Sequence, residues 1–197
     1  MKSILILFAA AMCFSGCNKM AEAIIDKTNS EPGSKFRTYT IRTGQHYCEG
    51  NQYRNISTTE QKFSVRFDSS AIYRTADPQN QLDINKLFGF SDNNAAHHQY
   101  SARFGWRWSN QALRLFAYVY NDGVVSSQEL TPDPLDTDIH CTIKVSGNKY
   151  VFMVNDFIFD MPRKAETDKA VGYQLYPYFG GDETAPHDIS IRIMEAN

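Results

Sequence analysis

The chain has 197 residues, a formal net charge of −2, 42% hydrophobic residues and 13% aromatics. That length suits one sizeable domain with its own core. The near-neutral balance supplies no broad basic field, so nucleic acid is not an expected partner.

The chain opens MKSILILFAAAMCFSGCNK. Lys2 precedes the apolar run Ile4–Phe14, which is shorter than the roughly 20 residues a membrane span needs. A basic start, a short apolar stretch and the small residues Ser15 and Gly16 describe a secretory signal over residues 1–17. With Cys17 directly after them, the stretch resembles the lipobox of bacterial lipoproteins, with Phe14 where that motif usually has leucine. The resemblance implies that Cys17 is acylated, becomes the new N-terminus and tethers the chain to a membrane of the cell envelope, the outer membrane being the expected address. Residues 18–35 are polar, pass through Pro32-Gly33-Ser34 and read as the tether. Residues 36–197 then form the folded domain. Of four cysteines, Cys13 falls in the discarded signal and Cys17 would carry the lipid, which leaves Cys48 and Cys141. In an oxidising compartment this even pair is expected to bridge, closing a loop of about 90 residues, with two buried free thiols as the alternative.

From Phe36 onward, period-two alternation dominates. FRTYTIRT sets Arg37, Tyr39 and Ile41 against Phe36, Thr38 and Thr40. QKFSVRFD aligns Phe63, Val65 and Phe67. QLDINKLFGFS is expected to hold one helical turn, with Leu82, Ile84 and Leu87 capping the core. HQYSARFGWRW places Tyr100, Ala102, Phe104, Trp106 and Trp108 on one face, and Ser101, Arg103, Gly105 and Arg107 on the other. ALRLFAYVYNDG follows a Ser-Asn-Gln turn and ends on Asn-Asp-Gly. DIHCTIKVSGNKYVFMVND reads as a hairpin about Ser-Gly-Asn, and VGYQLYPYF and HDISIRI close the chain. Strands rich in aromatic and β-branched residues, with turn signals every 8 to 12 residues, argue for an all-β sandwich or barrel.

Parity then separates core from surface. Leu113, Leu115, Ala117 and Val119 make a smooth aliphatic face, so they are core, and Arg114, Phe116, Tyr118 and Tyr120 point outward. Arg103 and Arg107 are outward by the same reasoning. In the last aromatic strand, Val171, Tyr173, Leu175 and Phe179 are expected in the core, with Gln174, Tyr176 and Tyr178 outside. Ile139, Cys141, Ile143 and Val145 are core, and His140, Thr142 and Lys144 face out. The candidate ligand face is therefore Arg103, Arg107, Arg114, Tyr118, Tyr120, Gln174, Tyr176 and Tyr178. Aromatic rings stack on sugar faces, while arginine and glutamine bond hydroxyls and carboxylates. The alternatives are cross-strand pairs, or a face covered by residues 44–60.

The stretches LRLFAYVYNDG, YVFMVND and YQLYPYFGGDETAPHDISIRI resemble small bacterial lipoproteins that carry a Tyr-Pro-Tyr-Phe-Gly-Gly signature on a concanavalin A-like jelly roll. That resemblance implies two antiparallel sheets, a lipid anchor, and a glycan or an envelope protein as partner. The broader superfamily includes lectins, laminarinases and alginate lyases. A laminarinase-like site is excluded by the lack of a Glu-x-Asp-x-x-Glu pattern, since Glu129, Asp133 and Asp136 fall in what reads as a Pro-rich loop. Likeness to alginate lyases implies Arg103, Arg107 or Arg114 as neutraliser of a uronate carboxylate, with Arg107 first, His140 as base and Tyr176 or Tyr178 as acid, although that family's Arg-x-Glu is missing and Asp138 stands where it has glutamine. His97-His98 lacks a third metal ligand at fixed spacing. Asp182, Glu183 and Asp188 offer oxygens for a structural calcium, but without the spacing of a dedicated loop. No cofactor and no catalytic metal are expected. The leading expectation is a non-catalytic carbohydrate-binding domain, with a polysaccharide lyase and a structural envelope protein as rivals.

Overall fold

The computed structural model describes residues 35–196. The signal and Cys17 lie outside the described residues, as does the tether up to Ser34. The described chain forms twelve strands: β1 (Arg37–Ile41), β2 (Asn55–Thr58), β3 (Glu60–Phe67), β4 (Asn85–Ser91), β5 (Tyr100–Ser109), β6 (Ala112–Asn121), β7 (Val124–Asp133), β8 (Ile139–Ser146), β9 (Lys149–Val154), β10 (Phe157–Pro162), β11 (Ala170–Leu175) and β12 (Ile189–Glu195). They make two six-stranded sheets. The back sheet runs β1-β12-β3-β8-β9-β10 and the front sheet β2-β11-β4-β5-β6-β7. Every pairing within them is antiparallel. This is the expected all-β jelly-roll sandwich.

Local chemistry explains the long front hairpins. Asn110 and Gln111 join β5 to β6 with φ of 52° and 59°, and Asp122 and Gly123 join β6 to β7 with φ of 54° and 76°. Two successive positive φ values give the turn twist that matches a right-handed ribbon, and Asn, Asp and Gly tolerate it best. The core lies between the sheets, where the alternating apolar faces meet. Phe63 and Phe67 of β3 reach across to Phe104 and Trp106 of β5, with ring centroids 5.6 and 5.2 Å apart. Leu113, Leu115, Ala117 and Val119 are fully buried. Each large side chain of this kind contributes on the order of 2 kcal/mol when it leaves water.

Four expectations need correction. First, the segment expected to hold a helical turn has only a 3-10 turn at Pro78–Leu82, followed by β4. A register shift between Lys86 and Gly89 puts Leu87 and Phe88 side by side in the core, so period two is lost there. Leu82 is exposed rather than capping the core. Second, Glu129 and Asp133 sit on β7, an edge strand with mostly exposed residues and no apolar alternation to announce it. Third, β11 has the opposite parity. Ala170 is core, Tyr173 turns outward beside His97, Gln174 turns inward to Gln61 of β3, and Tyr176 packs on Tyr39 and Phe88. Pro177 interrupts the ladder, after which Phe179 returns to the core.

Fourth, Cys48 and Cys141 are buried free thiols. Cys48 bridges Ile41 of β1, while Cys141 lies on β8, and β12 and β3 intervene. Three strand spacings put the two some 14 Å apart or more, beyond the roughly 7 Å limit between Cα atoms for a disulfide. Burial raises both thiol pKa values, that of Cys48 to about 11.

Candidate functional site

The outer face of the front sheet holds a cavity of about 250 Å³ at β4, β5 and β6. Arg103 forms its floor. Parity puts this side chain on the outer face of β5, between Gly89 of β4 and Tyr118 of β6. Gly89 is what lets β4 approach. A Cβ there would come within 2.2 Å of the Ala102 carbonyl and 2.4 Å of the Arg103 Cα. Arg103 is only 7% exposed, and its Nε has no hydrogen-bond partner. No carboxylate pairs with it among the described residues. Burial lowers its pKa to about 10, against the opposing pull of the phenol oxygens of Tyr118, Tyr120, Tyr173 and Tyr178.

A second cation stands beside it. The Lys86 ammonium donates to the Ile84 carbonyl and lies 4.4 Å from the centroid of the Tyr118 ring. Burial, then the charge of Arg103, lower its pKa to about 8, although Asp83 pulls the other way. The walls are His97 and His98, Tyr118 and Tyr120, and Tyr178 with the Gly180-Gly181 turn. Gly181 has φ of +86°, and a Cβ on it would collide with the Asp83 carboxylate. Burial, helped by Arg103 and His98, lowers His97 to about 4, so its imidazole is neutral near pH 7. Its backbone N–H donates to the Tyr173 hydroxyl at 3.1 Å, and the same hydroxyl shares a 2.9 Å hydrogen bond with His97 Nδ1. Burial, then the hydrogen bond with Tyr120, raise Tyr118 to about 12 and keep its hydroxyl protonated. The result is a cationic, phenol-lined pocket with no carboxylate in its wall.

The expected ligand face is only partly gathered here. Arg103, Tyr118, Tyr120 and Tyr178 converge. Arg107 and Arg114 share the outer face but are engaged further along it. Both pair with Glu129, and Arg107 also lies over Phe116 and donates to the Leu82 carbonyl. Gln174 and Tyr176 are inside, as described above. Gln174 is fully occupied by Arg54, Gln61 and the carbonyls of Gly89 and Leu175.

The constellation Arg107, His140 and Tyr176 does not assemble. His140 is on β8, exposed on the outside of the back sheet, where its Nδ1 shares a hydrogen bond with Ser64, and Asp138 pairs with Arg66. Arg107 and His140 therefore sit on opposite outer surfaces, and Tyr176 lies between the sheets. The loop acids do not converge on an ion either. Glu183 accepts from the N–H groups of Ala76 and Asp77 and from Asn80, and Asp188 accepts from Thr43 and Arg42. Among the described residues, no three His, Cys, Asp or Glu side chains gather as a metal site.

Sequence reasoning missed Lys86, His97 and His98 as members of this pocket, and Tyr173 as the partner of His97. Tyr173 was hidden by the reversed parity of β11, Lys86 by the β4 bulge, and the two histidines by their place in a loop.

No family model and no curated protein matches the chain. Solved structures match its fold. An alginate lyase, AlyC3, superposes with a TM-score of 0.54 at 9% identity, over 80% of this chain and 72% of that one. The same lyase in complex with dimannuronate gives 0.54 at 10% identity, over 80% and 71%. The catalytic domain of a laminarinase from Thermotoga petrophila RKU-1 gives 0.49 at 10% identity, over 84% and 80%. At such identities the lyase likeness speaks to the jelly-roll fold alone.

Proposed function

We propose that this domain binds acidic glycans, taking a uronate carboxylate at Arg103 and Lys86. The observation that carries the reading is the buried guanidinium without an acid. A desolvated charge is costly unless it is paired, so a carboxylate ligand would complete what the fold leaves open. Guanidinium and carboxylate match in a two-pronged, charge-assisted geometry. The surrounding phenols and imidazoles favour a sugar over a simple anion, because their rings offer apolar faces to sugar C–H groups and their polar atoms reach hydroxyls. The dimannuronate complex of a lyase with the same fold supports the choice of uronates as the first ligands to test.

The test is retention of the protein on alginate and polygalacturonate against neutral laminarin. The acidic polymers should retain it and laminarin should not. Retention on laminarin alone would overturn the reading.

One feature favours a catalytic version of the same reading, namely the neutral His97 bonded to the Tyr173 hydroxyl beside Arg103. In a β-elimination, Arg103 would neutralise the carboxylate and the Tyr173–His97 pair would take the C5 proton. The C5–H electron pair would form the C4=C5 double bond as the C4–O bond breaks, and the Tyr118 or Tyr120 hydroxyl would protonate the leaving oxygen. Ultraviolet absorbance of the unsaturated product, in the same alginate mixtures, is the readout. Binding without absorbance assigns the pocket to recognition only.

The N-terminal residues support a further part of the reading, that a lipid on Cys17 holds the domain at the cell envelope, where such polymers are met. Metabolic labelling with a fatty-acid analogue should mark the wild type and spare Cys17→Ala. Equal labelling of both would remove the anchor.

A further inference from the structure

We infer that two exposed aromatic ledges extend the Arg103 pocket into a groove for a glycan chain, so that the ligand is an oligomer gripped on both sides of its charged ring. The inference rests on the reading above and concerns residues outside the pocket wall.

The ledges lie at opposite ends of the pocket along β4. Arg103 pairs with Gly89. At one end, Lys86 bridges Tyr178, and Tyr178 in turn bridges Tyr47. At the other end, the Tyr173 N–H donates to Ser91. The charged centre thus stands between Tyr173 and Tyr178, and the chain joining those two residues spans at most roughly 17 Å.

One ledge is a stacked pair with an open outer ring, and the other is a stacked pair with an exposed tyrosine bridged beside it. On the β2 side, Tyr53 is 80% exposed and lies 5.8 Å from Tyr173 at 30°. On the other side, His46 lies 5.2 Å from Tyr178 at 10°, next to Tyr47, which is 61% exposed. His46 Nδ1 shares a 2.8 Å hydrogen bond with the Phe179 carbonyl, which fixes that ring before any ligand arrives. Exposed rings held flat and in place lose little freedom when a sugar stacks on them. Neither ledge contains a lysine, an arginine or an acid, so each would add affinity without changing the preference for an acid at the centre.

The experiment is a calorimetric titration with mannuronate oligomers, from the dimer to chains long enough to cover both ledges. Wild-type affinity should rise with length. Tyr53→Ala and Tyr47→Ala should each weaken the long oligomers by about fivefold while leaving the dimer unchanged. Both positions are exposed, so loss of fold is not expected, and circular dichroism of each variant checks it. Length-independent binding, or equal loss on dimer and long chains, would overturn the ledges and leave the Arg103 pocket standing. Failure of the wild type to bind any oligomer would instead remove the pocket reading, and the ledges with it.

Discussion

At the scale of single residues, Lys86 makes the pocket sensitive to pH. Its folded-state pKa is lowered from the usual lysine value to about 8, chiefly by burial. Below that pH the ammonium is charged and attracts a carboxylate. As pH rises through about 8 the free pocket loses that charge, so affinity for a uronate oligomer should fall. A bound anion favours the charged form, so the decline extends above 8 until the complex also loses its proton. Lys86→Met should bind more weakly at pH 7 and show a flat profile from pH 7 to 9, below the range in which Arg103 itself loses its proton. A wild-type profile flat over that range would remove Lys86 from the recognition of charge. Nothing in the sequence marks Lys86, because its partners come from β5, β6 and the turn after β11. By contrast, Arg103, Tyr118 and Tyr120 were legible, since β5 and β6 alternate regularly over ten residues each. Tyr173 and Gln174 exchanged faces because β11 is a six-residue strand in which apolar and aromatic residues occur on both parities.

At the scale of elements, one buried ion pair ties β4 to β9 and to the segment after β10. Asp92, fully buried, accepts from Arg163 Nε at 2.8 Å and from the Tyr150 hydroxyl at 2.6 Å. It also accepts from the backbone N–H groups of Asn93 and Val171. Removing the charge at Asp92 strands a buried guanidinium, which costs about 3–5 kcal/mol. Asp92→Asn should therefore lower the Tm by many degrees, and chemical denaturation should show that loss. A change under about 1 kcal/mol would mean the cluster does not hold these elements together. The hairpins of β5, β6, β8 and β9 were visible from alternation and turn residues. The edge strands β2, β7 and β10 were not, because β2 is four mostly polar residues, β7 is mostly exposed along its length, and β10 exposes Phe157 and Ile158 side by side, so none announces itself by an apolar alternation. The cysteine pair failed as an expectation for a related reason. Even number and compartment say that a bridge is permitted, but strand order says that β1 and β8 are not neighbours.

At the scale of the whole molecule, aromatic and aliphatic faces meet between the sheets, while the front sheet keeps a buried cation without an acid partner on its outer side. Such a charge is costly to a fold, and on the proposed reading a ligand anion would complete it. Arg107 and Arg114, on the same face, share the Glu129 carboxylate as their partner. The difference between them and Arg103 depends on β7 delivering an acid to one end of the sheet and not the other. The all-β sandwich-or-barrel class was legible because alternation persists through most of the strands, and the resemblance narrowed it to a jelly roll. The division of labour among three arginines was not, because it depends on an edge strand without a pattern.

The most direct measurement is a paired comparison of wild type and Arg103→Met, by thermal denaturation and by calorimetric titration with a mannuronate oligomer. Loss of charge-assisted bonds should weaken binding by a factor of about 10 or more. An apolar side chain in place of an unpaired buried charge should leave the Tm unchanged or raise it. Binding lost with the fold intact or stabilised is the result this account predicts. An Arg103→Met protein that binds the oligomer as well as wild type would contradict it.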